Sequence, residues 1–497
     1  MSERTLNEII DQRKEKIKTL VADGIDPYPH NYDRSHTVTE AIDQFEDIEG
    51  QEGIKLAGRL MSRRVMGKAS FANIMDGSGR IQLYLSREDL GVDVYTMFKH
   101  LDIGDFVGVN GLLMTTRTGE KTLKVLELTL LSKNIRPLPN VKEKDGQLFD
   151  GFEDKEQRYR KRYLDLIVNP DVKETFVKRA LICKSIRKFF DEHDYLEVET
   201  PILQPLYGGA SARPFKTHHN SLDMDLYLRI ADELYLKRLI IGGFEKVFEF
   251  SRNFRNEGMD RTHNPEFTIV EWYEAYVDYF FLMDQVEALF KYLAHDLGQS
   301  IFEYNDHSID LTKPFKRATM AELVQQYAEV NLSTADEAEL LKVCRANNID
   351  APADSNYGQL LDALFDALVE PHLIDPTFVT EYPKAISPLA KNKRDSDGTF
   401  VERFELFIAG NEFANAFTEL NDPIDQRERL EAQSALRAGG DEEAQTLDED
   451  FLQAMEYGMP PTGGVGMGLD RLVMLLTGNR SIRDVLLFPQ MRPEAKG

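Results

Sequence analysis

FSRNFRNEGMDRTHNPEFTIVEWYEAY, residues 250–276, is the stretch that decides the architecture. Its two arms lie within KVFEFSRNFRNE (246–257) and EFTIVEWYEAY (266–276), which alternate apolar and polar residues as half-buried strands do. LDMDLYLRIA (222–231) alternates in the same way, and short turns join these runs, which predicts an antiparallel sheet. The strand–loop–strand gathers Arg252, Arg255, Glu257, Arg261, His263, Phe267 and Glu271. Arg255 has the donor fork to clamp a phosphate and to stabilise charge that shifts during displacement at phosphorus. Phe267 offers a face on which a base could stack. A surface hairpin laced with ion pairs is the plainer alternative, and the density of arginine, histidine and carboxylate argues against it.

Two downstream runs carry complementary chemistry. In VERFELFIAGNEFANAFTELND (401–422), Glu405, Glu412 and Glu419 alternate with aromatics. Carboxylates buried beside Phe407, Phe413 and Phe417 are costly unless a cation meets them. Magnesium, which bridges one or two carboxylates to phosphates, or a cationic substrate would do so. A helix would place the three glutamates on one exposed face, but the glycine, asparagines and aromatics disfavour it. In GMPPTGGVGMGLDRLVMLLTG (458–478) the glycines let backbone approach a ligand, and Arg471 lies one turn into the helix that follows, which Gly478 stops. Gly463–Gly468 resembles a dinucleotide fingerprint only superficially, since a Pro-Pro-Thr turn precedes it and no βαβ unit surrounds it. Gly67-Lys68 lacks the rest of a P-loop.

Working outward, residues 5–22 read as an amphipathic helix stopped by Gly24, Pro27 and Pro29. Residues 54–136 read as about five strands with hairpin turns at 76–80 and 117–121, the size of a small Greek-key barrel of the OB type. Such barrels bind single-stranded nucleic acid with a basic groove and stacking aromatics. Lys55, Arg59, Arg63, Arg64 and Lys68 supply the charge, with Phe71 just after them and Gln82 on the next strand. IRPLPNVKEKDGQ (135–147) reads as a linker leading into the basic KEQRYRKRYLDL (155–166), which is either a nucleic-acid contact or a solvated helix start. Residues 172–200 predict a long helix ending near His193 and then a strand, and 317–375 a helical module. The divisions expected are a helical extension at 1–50, the barrel at 51–140, a linker at 141–170, and an α+β domain at 171–497 with a helical insertion at about 317–388.

The formal net charge of −25 argues against a non-specific polyanion binder. No apolar run reaches the roughly 18–20 residues that span a bilayer. The charged N-terminus has no signal-like core, which makes the cytoplasm the expected compartment. Cys183 and Cys344 alone build neither a disulfide framework nor a zinc module.

The three constellations resemble the signature motifs of class II aminoacyl-tRNA synthetases. The chain over roughly 50–490 is similar to the bacterial-type lysyl group of that class. TPILQPLYGGASARPFKTHHNSLDMDLYLRIADELYLKRLIIGGFEKVFEFSRNFRNEG (200–258) carries the pattern nearly unbroken, and GRLMSRRVMGKASFANIMDGSGRIQLYL (58–85) resembles the group's anticodon-binding barrel. The resemblance implies activation of L-lysine with ATP and transfer to the 3' end of tRNA(Lys), by a homodimer whose interface is built by the segment ending at Pro201. It implies Arg255 on the α-phosphate, Glu257 near the adenine amine, His263 on the outer phosphates, Asn264 in the ATP site, and Phe267 and Arg471 on either side of the adenine. It implies Glu405 and Glu412 as ligands of Mg2+, about three ions in all. Gly209, Glu233 and Asn415 would hold the amino acid's α-amine and carboxylate. Tyr273 and Glu419 would take the ε-ammonium, with Glu271 nearby. Phe71, Gln82 and Glu127 would receive the anticodon bases. Ala409, Ala414, Ala416 and Phe413 depart from the pattern beside the pocket without removing a ligand. The alternatives are an aspartyl or asparaginyl enzyme of the same subgroup, a paralogue that lysylates protein, and a non-catalytic RNA-binding paralogue.

Overall fold

The computed structural model describes residues 3–139, 141–144, 147–150, 152–352, 355–438 and 445–494. The chain divides into two compact units, 1–153 and 154–497.

In the first unit the strands Ile54–Met66, Ala69–Met75, Arg80–Ser86, Lys121–Ser132 and Phe106–Thr115 close a barrel in that order. Period-two alternation sends Leu56, Leu60, Ile74, Leu83, Val109 and Val125 into its core. The 76–80 turn is held by Asp76, whose carboxylate accepts from the backbone N–H groups of Ser78 and Gly79. Ser86 caps the helix Arg87–His100, and Tyr95 and Phe98 of that helix join the barrel core. Val38, Ala41 and Phe45 are buried in the same core. The latter half of the segment read as a separate extension is therefore part of the barrel unit.

The division after Glu153 falls inside the expected linker. Val141–Lys144 and Gln147–Asp150 pair as a hairpin. Beyond the division, Lys155–Arg160 and Arg162–Val168 are helices of the second unit. Arg162 is buried there, donating to Asp165 and to the carbonyls of Arg483 and Leu486. Arg158 also pairs with Asp165 at 2.7 Å. These two arginines of the basic run are thus taken by the fold, while Tyr163 is exposed.

The second unit is built on an eight-stranded sheet in the order Lys316–Thr319, Thr377–Thr380, Arg403–Ile408, Asn411–Thr418, Thr462–Gly468, Glu266–Ala275, Lys246–Phe254, Leu196–Glu197. The six inner strands pair antiparallel, and the outermost pair at each edge is parallel. The glycine run is itself an inner strand. One face of the sheet, with Val270, Trp272, Val465, Met467, Phe404 and Leu406, packs on the helices Pro170–Asp191, Tyr279–Asp296 and Leu469–Thr477. Gly478, at φ 69°, ends the last of these helices in the left-handed conformation glycine favours. The helical module Met320–Ala328, Glu337–Ala346 and Tyr357–Leu368 has its own core of Val324, Leu340, Leu361 and Leu364. The strands on either side of this module belong to the main sheet, so the insertion is shorter than expected.

Candidate active site and nucleic-acid face

The face of the sheet opposite the packed helices lines a cavity of about 450 Å³. Strand register explains who lines it. Glu405, Asn415, Gly466 and Glu271 lie abreast on four neighbouring strands, and the next row two residues along is Arg403, Phe417, Gly464 and Tyr273. Because side chains alternate faces, these rows point the same way, away from Trp272 and Val465. The glycines in the middle of each row are what make room. A Cβ on Gly464 would lie 2.3 Å from both Glu419 Oε1 and Tyr273 Cε1. The catalytic-domain residues given a site role from the resemblance line this one cavity: Gly209, Glu233, Arg255, Glu257, His263, Asn264, Phe267, Glu271, Tyr273, Glu405, Glu412, Asn415, Glu419 and Arg471. Arg252 and Arg261 of the same strand–loop–strand do not; Arg252 pairs with Glu266 instead.

One end is basic and aromatic. The Arg255 backbone N–H donates to the Pro265 carbonyl across the loop, and its guanidinium lies 5.1 Å from the Phe267 ring centre. Arg255 Nε is buried with no hydrogen-bond partner among the described residues. A guanidinium with an unused buried donor is arranged for an anion. Arg471 donates to the Glu412 carbonyl at 2.7 Å and approaches its carboxylate at 3.3 Å. Its other terminal nitrogen lies 3.1 Å from His263 Nε2. With Nε2 accepting, Nδ1 carries the proton and donates to Asp260 at 2.8 Å. Against a burial that raises it, hydrogen bonds from His263 and Thr262 hold Asp260 down to about 2. Asp470 binds the helix Leu469–Thr477 to the sheet by accepting from the Thr268 N–H, with Arg179 at 2.6 Å on its other oxygen.

Glu405 and Glu412 stand between the two ends. Glu405 takes Arg403 at 2.5 Å and the Tyr382 hydroxyl at 2.8 Å, and burial still pushes it up to about 7. Glu412 is more open, 39% exposed at the side chain. Among the described residues no three or more metal-ligating side chains converge. A pair of carboxylates without further protein ligands suits magnesium, which completes its shell with water and substrate phosphate.

The other end is acidic. Glu233, Glu271, Tyr273 and Glu419 are all buried. The Tyr273 hydroxyl donates to Glu271 at 2.7 Å. Glu271 faces Asp232, and burial, reinforced by Asp232 and Glu233, raises it well above the usual carboxylate range. Burial pushes Glu419 up to about 8, against the pull of Lys237. Glu419 Oε1 has no hydrogen-bond partner among the described residues. Gly209, at φ 85°, brings the 208–214 loop over this end, where a Cβ would lie 3.2 Å from that of Glu233. Sequence reasoning missed three participants. Lys237 pairs with Glu233 at 2.5 Å and with Glu419. Asp232 is fully buried, with Ser251 and Asn253 donating to one oxygen. Arg403 donates to Asn415 at 3.1 Å as well as to Glu405. The signals were present: Lys237 is four residues past Glu233 in a helical run, and Arg403 is two before Glu405 in a strand.

On the barrel, Phe71 and Tyr84 are cross-strand partners with ring centres 5.4 Å apart. Gln82 pairs with Asn73 one step along the same face and accepts from the Thr122 hydroxyl at 2.8 Å. Arg64 is opposite Phe71, and Lys124 is opposite Tyr84. Aromatic rings, amides and cations on one open face are the elements of a single-strand platform. Glu127 lies on the strand Lys121–Ser132, exposed, accepting from Asn110 at 3.0 Å.

Residues 154–492 match the family model of class II tRNA synthetases (D, K and N), and residues 54–131 match that of the OB-fold nucleic acid binding domain. The lysine–tRNA ligase of Moorella thermoacetica is 52% identical over 492 residues, covering 98% of both chains. That of Porphyromonas gingivalis is 51% identical over 97% of this chain and 85% of its own. That of a Thermoanaerobacter species is 50% identical over 98% of this chain and 97% of its own. With a sheet, a cavity and a barrel that answer to both family models, the chain belongs to the class II tRNA synthetases of the D, K and N group.

Proposed function

We propose that this chain is a lysine–tRNA ligase, which joins L-lysine to ATP as lysyl-adenylate and passes the lysyl group to the 3' end of tRNA(Lys). The observation that carries the choice of amino acid is the buried acidic end, with Glu233, Glu271 and Glu419 around Tyr273 and a free oxygen on Glu419. A buried ammonium needs such partners. A pocket for aspartate would instead offer an uncommitted cation. The cations present at this end, Lys237 and Arg403, are both held by protein carboxylates.

The roles follow from position. Glu419 and Tyr273 take the ε-ammonium, with Glu271 behind them, while Glu233, Gly209 and Asn415 hold the α-amine and carboxylate. Phe267 and Arg471 enclose the adenine, Glu257 reads its amine, Asn264 supports the ATP loop, and His263 meets the outer phosphates. The lysine carboxylate attacks the α-phosphorus in line. An O–P bond forms, the α–β P–O bond breaks, and pyrophosphate leaves. Arg255 is aimed at the charge that grows on the α-phosphate, and the cavity supplies the rest of the rate by orientation. Glu405 and Glu412 would hold magnesium, which offsets phosphate charge when bound. The terminal ribose hydroxyl of tRNA then attacks the lysyl carbonyl, and AMP leaves. No protein side chain forms a covalent intermediate in either step. Phe71, Gln82 and Glu127 receive the anticodon bases on the barrel, a module that a protein-lysylating paralogue lacks.

A homodimer is part of the proposal. Val177, Leu181, Leu196, Ile202, Leu203 and Leu206 are large apolar side chains left 42–59% exposed on the segment that leads through Pro201. Large apolar side chains left exposed along one segment suit an interface with a second copy. Among the described residues no helix is long and apolar enough to cross a membrane. We place the enzyme in the cytoplasm, where its tRNA substrate is used. Charging of tRNA transcripts tests the function. tRNA(Lys) is expected to accept lysine, and a chain that charges only tRNA(Asp) or tRNA(Asn) would refute it.

A further inference from the structure

Lys237 stands in the acidic end of the cavity yet has no part in the reaction written above. It lies on the helix Glu233–Ile241, one turn past Glu233, and its side chain is wholly buried. Its ammonium is 2.5 Å from Glu233 Oε1 and also pairs with Glu419. Those are the carboxylates assigned to the two amines of the substrate, one at each end of its chain. A single buried ammonium bonded to both does two things. It fixes their separation, since neither can turn away without leaving a buried charge unpaired. It also sets how much positive charge the pocket still lacks.

The charges can be counted. Four carboxylates meet here: Asp232 and Glu233 at the helix start, Glu271 on the central strand and Glu419 beyond the neighbouring one. Tyr273 is neutral and donates to Glu271, and Arg403 is committed to Glu405 and Asn415. Asp232 Oδ2 has no donor among the described residues and faces the Glu271 carboxyl, an arrangement that one shared proton satisfies. With the substrate's ammonium in place and Glu419 ionised, three negative charges remain. Lys237 offsets one of them. The two left over equal the ammonium groups of one lysine.

We propose, resting on the lysine reading above, that Lys237 is a positioning and specificity-determining residue that ties Glu233 to Glu419 and leaves the pocket short of two positive charges, the complement of an amino acid with two amines. It touches no substrate atom and acts through the two glutamates.

The test is lysine-dependent ATP–pyrophosphate exchange by the full chain, comparing wild type with Lys237→Met, which keeps the length and removes the charge. Wild type is run first, because a wild type that ignores lysine defeats the functional reading and not this inference. Given lysine-dependent exchange, Lys237→Met is expected to raise the lysine KM by about tenfold or more at pH 7 and to move the pH of lowest lysine KM upward. The ATP KM should stay within about twofold, because the variant leaves the Arg255 end intact. Lys237→Ala is expected to regain lysine affinity in ethylammonium chloride and not in potassium chloride of equal strength. A wild-type lysine KM and pH profile in Lys237→Met overturns the proposal. So does a variant in which lysine and ATP KM rise together. If neither variant folds, and neither saturating lysine nor ethylammonium restores a cooperative melt, Lys237 serves the fold alone and the proposal is equally overturned.

Discussion

Gly464→Ala is the smallest change that should separate lysine recognition from the rest of the enzyme. The added methyl would sit 2.3 Å from Tyr273 Cε1 and 2.3 Å from Glu419 Oε1, far inside van der Waals contact. Neither neighbour yields cheaply. The tyrosine ring is 2% exposed and bonded to Glu271, and the glutamate is paired with Lys237. Overpacking of a well-filled interior costs about 1–3 kcal/mol. If that strain appears as displaced ligands for the ε-ammonium, kcat/KM for lysine falls about fivefold to 150-fold. The ATP KM should not move, because Gly468 and Arg471, two turns of the pleat away, are unaltered. The same strand holds the control. A Cβ on Gly463 faces the opposite side and meets Leu282 at 2.8 Å, so Gly463→Ala should lower the melting temperature and spare the lysine KM. Gly466→Ala has only Glu271 Cδ, at 4.0 Å, to meet and should be the mildest of the three. Steady-state exchange kinetics with thermal melts would read all three variants. A Gly464→Ala enzyme with normal lysine KM, or one in which Gly463→Ala shows the larger KM effect, would refute the strand register as the organiser of the pocket.

Arg255→Ala should leave the melting curve nearly unchanged and cut kcat for activation by about a hundredfold to a thousandfold, the loss of one donor aimed at developing charge. Activation that survives at wild-type rate would remove Arg255 from the α-phosphate. Lysine affinity should depend on pH with a definite sign. Burial raises Glu419 to about 8, so the free pocket holds a proton there at neutral pH that an incoming ammonium must displace. Calorimetry in buffers of different ionisation enthalpy should show proton release on lysine binding, with affinity rising from pH 6 to 8; affinity that falls over that range would contradict it. Phe71→Ala should raise the tRNA KM by about fivefold to 150-fold, from the ~1–3 kcal/mol of one base stack, with pyrophosphate exchange untouched. Exchange and charging that decline together would point to misfolding instead.

Part of the cavity's lining was legible because it lies on strands whose side chains alternate in plain sight, whereas Gly209, Glu233, Tyr273 and Asn415 came only from the family resemblance. Phe267, Ile269, Glu271 and Tyr273 are spaced by two, and so are Arg403 and Glu405. The glycine run was harder. Glycine carries no strand preference, and its place in the sheet is dictated by the bulk of Tyr273 and Glu419 across the register. Lys237 was missed because a lysine in a helix is ordinarily a solvated residue, and only the fold puts Glu419 beside it. Arg162 misled in the same way: its basic neighbours suggested a surface, whereas Asp165 and the carbonyls of residues 483 and 486 bury it. The ends of the helical module were obscured by Thr377–Thr380, buried on both faces and so without the alternation that announces a strand.

The central claim is that the acidic cavity selects lysine for activation. Amino-acid-dependent ATP–pyrophosphate exchange, run with purified protein and magnesium across all twenty amino acids, tests it most directly. Exchange with lysine alone is the expected result. Exchange driven by aspartate or asparagine would keep the chain within its class but contradict the roles given to Glu419 and Tyr273, and no exchange from folded protein would contradict catalysis itself.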